Sequence, residues 1–145
     1  MGGDSIYKFD KTSEDHLQIF KELTNNYKTM VMVQNFLPEI YDGDYRILII
    51  NGEPFPIALA RIPQKGSFKG NLAAGGRGEA RELSNDQIKA SKEIGKLLVQ
   101  EGILFAGIDM IGNYLTEINI TSPTGAREIL SQTGQNPIKA LLQSI

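Results

Sequence analysis

The stretch Tyr45-Arg46-Ile47-Leu48-Ile49-Ile50-Asn51-Gly52-Glu53-Pro54-Phe55-Pro56-Ile57-Ala58-Leu59-Ala60-Arg61-Ile62 decides the fold class. An aromatic residue followed by a run of branched aliphatics predicts a strand over 45–50. Asn-Gly is the strongest short hairpin signal, because both residues tolerate positive φ. A returning strand is therefore expected over 55–62, with Pro54 and Pro56 marking its start or an edge.

Working outward, 30–36 (Met-Val-Met-Val-Gln-Asn-Phe) reads as a buried strand that Pro38 ends, with Met30 and Met32 in the core. Before it, Thr12-Ser13-Glu14-Asp15 suits a helix N-cap and first turn. Leu17, Phe20 and Leu23 follow at helical spacing, and Asn25-Asn26 closes the segment. His16 is expected to be a solvated residue of that helix. Downstream, Ser84 with Gln87 forms a capping box. Ile88, Ile94 and Leu98 share a helix face, and Gly102 suits the left-handed position after the helix. Two more strands are predicted over 104–110 and 115–120. Ser122-Pro123 and Asn136-Pro137 each open a helix with proline at its first position. The order of strands and helices implies an α+β fold with a mainly antiparallel sheet flanked by helices.

Composition narrows the chemistry. The chain has 145 residues, one domain's worth, with 41% hydrophobic and 22% charged residues. Its 15 basic and 17 acidic side chains give a net charge of −2, which argues against a nucleic-acid surface. Without cysteine there are no disulfides or thiolate sites, and a single histidine excludes multi-histidine metal centres. No apolar run is long enough to span a membrane and no signal peptide opens the chain, so a cytoplasmic protein is expected. Carboxylates, arginines, lysines, backbone amides and a hard metal ion are left to do the work.

Three constellations could do it. On 104–110 and 115–120, Ile108, Met110, Ile118 and Ile120 share one parity, and Asp109, Glu117 and Asn119 the other. If Gly112-Asn113-Tyr114 is the loop, Asp109 faces Glu117 across the ladder, with Asn119 on the same face. Two carboxylates and an amide oxygen suit Mg²⁺, which takes phosphate oxygens and water for its remaining positions. The same pattern also suits a half-exposed hairpin with a solvated polar face.

The second constellation is the run 66–78, five of whose thirteen residues are glycine, accompanied by Lys65, Lys69 and Arg77. It is either a phosphate-approaching backbone or a flexible loop, and its spacing is not that of a P-loop. The third is Arg46 and Arg61, which fall near one sheet edge. They could hold a carboxylate or phosphate, or form surface salt bridges with Asp42 and Asp44.

Several segments together resemble the C-terminal half of the prokaryotic glutathione synthetase family, which are ATP-grasp ligases. They are Gln34-Asn35-Phe36-Leu37-Pro38, Asp42-Gly43-Asp44-Tyr45-Arg46, Leu59-Ala60-Arg61-Ile62-Pro63, Gly70-Asn71-Leu72-Ala73-Ala74-Gly75-Gly76-Arg77-Gly78, Gly107-Ile108-Asp109 and Thr116-Glu117-Ile118-Asn119-Ile120-Thr121-Ser122-Pro123-Thr124. The resemblance covers the whole chain as a single partial ATP-grasp domain. It implies phosphorylation of the cysteinyl carboxylate of γ-glutamylcysteine by ATP, then attack by glycine on the acyl phosphate. It implies Mg²⁺ (or Mn²⁺) on Asp109, Glu117 and Asn119. Gln34, Asn35, Phe36, Leu37 and Asp44 become the nucleotide-contacting positions, the first four through main chain against adenine.

By the same resemblance, Arg46, Arg61, Ser122 and Thr124 lie near the dipeptide and phosphoryl sites. Residues 63–77 form a mobile active-site loop, contributing Lys69, Asn71 and Gly76. Lys69 stands where the family pattern has arginine, keeping the charge but losing the bidentate fork. Family members are much longer, and Met1-Gly2-Gly3-Asp4-Ser5 resembles the tail of a second Gly-rich loop. The resemblance thus implies that the N-terminal half of the enzyme, with half of the nucleotide cleft, is a missing partner. The intact enzyme is expected to be a homo-oligomer, and the chain alone to be inactive. The alternative is a non-catalytic remnant that binds a ligand or partner.

Overall fold

The computed structural model describes residues 6–9, 14–70 and 75–145. The chain divides into two compact units, Met1–Leu37 and Pro38–Ile145. In the first, α1 (His16–Leu23) ends at Thr24, whose hydroxyl donates to the Phe20 carbonyl at 2.7 Å and accepts from the Tyr27 amide at 3.0 Å. Asn25, Asn26 and Tyr27 then follow with positive φ, so the asparagine stop is real and a tyrosine joins it. The proposed caps Thr12 and Ser13 lie outside the described residues. His16 is only partly exposed: its ring meets Phe9 edge-on at 5.1 Å, and its Nε2 is buried with no hydrogen-bond partner among the described residues.

The strand expected over 30–36 is absent. These residues have no regular structure, and Met30 is 98% exposed rather than core. An apolar run becomes a strand only when a ladder partner exists, and no described residue pairs with it.

The second unit holds a six-stranded antiparallel sheet in which five strands run in the spatial order 77–82, 57–62, 44–50, 105–111 and 114–119. A 3-10 turn (Pro38–Tyr41) leads into β1 (Asp44–Ile50), at the centre. The turn after it uses Asn51 and Gly52 at φ 46° and 83°, as expected for a two-residue hairpin. The return is split. β2 (Glu53–Pro54) pairs with the top of β1, Phe55 and Pro56 intervene, and β3 (Ile57–Ile62) pairs lower down, Asp44 with Arg61 and Arg46 with Leu59. Proline cannot donate to a ladder, so Pro56 falls in the break.

β4 (Arg77–Glu82) pairs along the whole of β3. Nothing in Arg-Gly-Glu-Ala-Arg-Glu suggests a strand; pairing with a neighbour makes it one. Its edge position suits its charge. β5 (Phe105–Ile111) and β6 (Tyr114–Asn119) complete the sheet.

Helices cover both faces. α2 (Asn85–Gln100) begins with the predicted capping box, Ser84 Oγ accepting from the Gln87 amide and Gln87 Oε1 from the Ser84 amide. Leu98 packs onto Ile47, Ile49, Ala58, Ala106, Ile108 and Met110, with Ile94 partly buried beside them. At Gly95 the helix touches the hairpin turn, and any Cβ there would collide with the Gly52 carbonyl.

On the other face, Ile129 of α3 (Ala126–Thr133) packs on Leu48, Ile50, Phe55, Ile57 and Leu59. α4 (Pro137–Ser144) joins this cluster through Ala140 and Leu141. Asn136 caps α4 through Ile138 and Lys139, as the Asn-Pro signal predicts. The Ser122-Pro123 signal misplaces the start of α3. That helix begins three residues later, behind Gly125 at φ 113°. Among the described residues no helix is long and apolar enough to cross a membrane.

Candidate functional site

α3 and α4 cover only the apolar half of their sheet face. Side chains alternate along a strand, so Asp44 and Arg46 point to the same side as Leu48 and Ile50. Arg46 pairs across the ladder with Asp109, Asp44 with Arg61, and Asp109 with Glu117. The ladders thus bring Asp44, Arg46, Arg61, Asp109 and Glu117 onto one end of one face.

The register of Asp109 against Glu117 is as expected, but it arises differently. The loop has two residues, Gly112 and Asn113, and a bulge between Asp109 and Met110 absorbs the extra one. Thr116 lies at the bulge, where its hydroxyl donates to the Asp109 carbonyl at 3.1 Å. Without the bulge, a two-residue loop would turn the β6 side chains to the opposite face.

The cluster is buried, not superficial. Arg46, Arg61 and Asp109 are 5%, 7% and 3% exposed. Arg46 Nε donates to Asp109 Oδ1 and its Nη2 to Oδ2 at 2.9 Å, a bidentate fork. One Arg61 nitrogen is 2.5 Å from Asp44 Oδ2 and 2.7 Å from Asp109 Oδ2. The two arginines lie on central strands rather than at an edge, and of the two suggested surface partners only Asp44 meets Arg61. Asp42 instead pairs with Arg81 at 3.2 Å.

Glycines make room for Arg46. A Cβ at Gly107 would fall 2.6 Å from Pro123 Cβ and 3.0 Å from Arg46 Cδ, and one at Gly125 would fall 3.2 Å from Arg46 Cγ. Arg46 Nη1 reaches the Thr124 carbonyl at 3.5 Å. The sequence signal for Gly107 is a glycine inside a strand pattern, which marks close approach.

Electrostatics follow from burial and pairing. Burial pushes the Asp44 carboxyl up to about 6; Arg61 pulls it down, and the nearby charge of Asp109 adds to the rise. Burial also opposes ionisation of Asp109, but the Arg46 hydrogen bonds and the Arg61 charge overcome it and hold Asp109 below its ordinary value. For Arg46, burial works against the charge, and Asp109 and then Glu117 more than compensate, so its pKa is raised.

The donors around Asp109 suit a hard cation. A carboxylate offers about four lone-pair positions, and Arg46 and Arg61 use three on Asp109, leaving one on Oδ1. Glu117 is exposed. Asn119 is committed inward: its Oδ1 accepts from the Thr121 and Ser122 amides, both at 3.3 Å, long bonds that a cation could displace. Among the described residues no group of three acidic or histidine side chains is gathered for a metal. The set therefore depends on the amide and on ligand oxygens.

The other expected site residues are spread out. Ser122 and Thr124 are exposed on the turn after β6, beside Asn119 and Arg46. Lys69 is half-buried, and its amide donates to Ser67 Oγ at 3.1 Å. Gly76 immediately precedes β4, and Asn71 lies outside the described residues. Gln34, Asn35, Phe36 and Leu37 belong to the first unit, where Lys8 Nζ sits 3.8 Å above the Phe36 ring.

Residues 1–134 match the family model described as prokaryotic glutathione synthetase, ATP-grasp domain. The chain belongs to that family. It is 47% identical over 145 residues to a glutathione synthetase of Nitrosomonas europaea, covering all of this chain and 45% of that protein. It is 51% identical over 129 residues to one from Pseudomonas aeruginosa, covering 89% of this chain and 41% of the other. A third, from Escherichia coli O157:H7, is 51% identical over 130 residues, again 89% and 41%. The glutathione synthetase-family chain thus spans less than half the length of the curated relatives it matches, and its α+β sheet is an ATP-grasp subdomain.

Proposed function

We propose that this chain is the C-terminal part of an ATP-dependent ligase that joins γ-glutamylcysteine to glycine through an acyl phosphate. The observation that supports this most directly is the buried Asp44–Arg61–Asp109–Arg46 cluster at the end of the sheet face beyond α3 and α4. Buried ion pairs are a costly way to stabilise a fold. Two arginines and two carboxylates in the centre of a sheet are therefore better explained by work on a charged ligand.

In this reading Asp109, Glu117 and Asn119 hold Mg²⁺ (or Mn²⁺), which when bound would neutralise phosphate charge. Arg46 and Arg61 supply fixed positive charge beside the dipeptide carboxylate and the transferred phosphoryl group. Ser122 and Thr124 border the same pocket. Gln34, Asn35, Phe36 and Leu37 offer main-chain partners to adenine, and Asp44 contacts the nucleotide. Residues 63–77, with Lys69, Asn71 and Gly76, close over the reacting atoms and exclude water from the acyl phosphate. The remainder of the cleft comes from segments that the longer relatives carry beyond the matched region. The chain alone then binds ATP weakly and has no ligase turnover. The intact enzyme would be a cytoplasmic homo-oligomer.

Calorimetric titration of Mg-ATP into the purified chain, followed by an assay of ADP release with γ-glutamylcysteine and glycine, tests this. The expected result is weak binding and no turnover until the N-terminal half is added in trans. Full activity of the chain alone would refute the incomplete-cleft reading, and no activity with the added half would refute the ligase reading.

A further inference from the structure

Arg61 stands between two carboxylates, and they are not equivalent. Asp109 is shared with Arg46 and lies within the candidate cation set. Among the described residues the Asp44 carboxylate is held by Arg61 alone: its Oδ2 takes the guanidinium at 2.5 Å, and the Asp44 main-chain carbonyl accepts from Arg61 Nε at 3.4 Å. The two residues are direct antiparallel partners, so the ladder itself fixes their spacing. Asp44 Oδ1 is buried and accepts no hydrogen bond from a described residue. A purely structural ion pair in a sheet would satisfy both oxygens.

The loop after β3 also returns onto this pair. A Cβ at Gly70 would fall 2.7 Å from the Arg61 carbonyl oxygen and 3.2 Å from Asp44 Cβ. Only a residue without a side chain lets the backbone settle there.

We propose that Asp44 is a positioning residue that anchors the Arg61 guanidinium independently of Asp109, with Gly70 seating the following loop on the pair. The proposal rests on the ligase reading above, in which Asp109 also serves a cation and Arg61 an anionic group of the substrate. An arginine held only by Asp109 would lose its orientation when a cation draws on that carboxylate. With Asp44 as a second anchor, Arg61 stays aimed. Asp44 thereby ties β1, β3 and the start of the Gly-rich loop into one unit.

The test is made on the purified chain by NMR of arginine Nε–Hε groups, with Arg61→Lys and Arg46→Lys assigning the two signals. Asp44→Asn keeps the shape and removes the charge. The Arg61 proton is expected to exchange with water about tenfold faster, with the Arg46 proton little changed. An unchanged Arg61 signal overturns the proposal, as does equal loosening of both arginines, which would mean general loss of the site. Gly70→Ala presses on the pair from the loop side and is expected to shift the Arg61 signal too; no shift there removes the loop from the proposal.

With the N-terminal half added, Asp44→Asn is expected to raise KM for γ-glutamylcysteine about tenfold, beside whatever rise in KM for ATP follows from losing its nucleotide contact. An unchanged KM for γ-glutamylcysteine overturns the assignment to Arg61. Absence of activity in the unsubstituted pair would defeat the ligase reading, whereas the arginine spectra decide the positioning role without any turnover.

Discussion

One face of the sheet has two ends built on opposite terms. At one end, Leu48, Ile50, Ile57 and Leu59 meet Ile129 beneath α3 and α4. At the other, the same strands carry Asp44, Arg46 and Arg61, with Asp109 from β5. The apolar end gains from burial without needing direction. The charged end needs each partner in place, because a buried charge left alone is expensive. A continuous set of strands thus serves as core and as site, and the point of change lies within two residues, between Arg46 and Leu48.

The largest effect is expected from Asp109→Ala. It strips Arg46 of its fork and Arg61 of one carboxylate, and should cost roughly 3–5 kcal/mol in urea unfolding. A loss below 1 kcal/mol would mean that water reaches the arginines and that the two ends are not so different. Next is Leu59→Ala at the apolar end, expected to cost roughly 2–5 kcal/mol by cavity formation. Its effect should be independent of pH, whereas that of Asp109→Ala should shrink in acid.

The third sharpens the comparison through pH. The Asp44 pKa is raised to about 6, above its unfolded value of about 3.9. Its contribution to stability is complete below about pH 4 and is lost as pH rises through 6. Asp109 is lowered, so its contribution is present above about pH 4 and is lost as pH falls further. Asp44→Asn should therefore raise stability at pH 7 by as much as about 3 kcal/mol and flatten the profile between pH 4 and 7. A variant less stable than the parent at pH 7 would show that the Arg61 pair outweighs burial. Gain of stability with loss of Arg61 order is the expected signature of a site kept for function.

The smallest effect concerns the sheet edges. Gln132 of α3 donates to the Gly78 carbonyl at 3.1 Å and accepts from the Ala80 amide at 2.8 Å. One side-chain amide thus occupies the outer ladder of β4. Gln132→Ala should cost about 1 kcal/mol, and light scattering should show more self-association than for the parent chain.

How much of this was legible follows from what each signal depends on. Ser84 with Gln87, Asn136-Pro137 and Asn51-Gly52 are local devices, and each acts where it stands in the sequence. β4 has no local signal, since Arg77–Glu82 becomes a strand only by lying against β3. The run 30–36 has the local signal and lacks the partner. Strand parity put Asp109, Glu117 and Asn119 on one face, which the ladder reproduces. It could not show that Arg46 and Arg61 would be buried against Asp109, because long charged side chains are ordinarily solvated. That contact joins residues 63 apart in the chain.

Gly107 and Arg46 also constrain how this sequence can change. A methyl group at position 107 meets the Arg46 side chain on one side and the Pro123 ring on the other. Arg46 cannot retreat while it keeps hold of Asp109, and the proline ring stands closer still, at 2.6 Å. Substitution at 107 therefore needs room on both sides, and a shorter residue at 46 gives it on one side only while abandoning the fork. Each route to change passes through a worse intermediate, so the two positions hold one another in place across the β1–β5 ladder. Drift in one is blocked by the other, without either needing to touch a substrate.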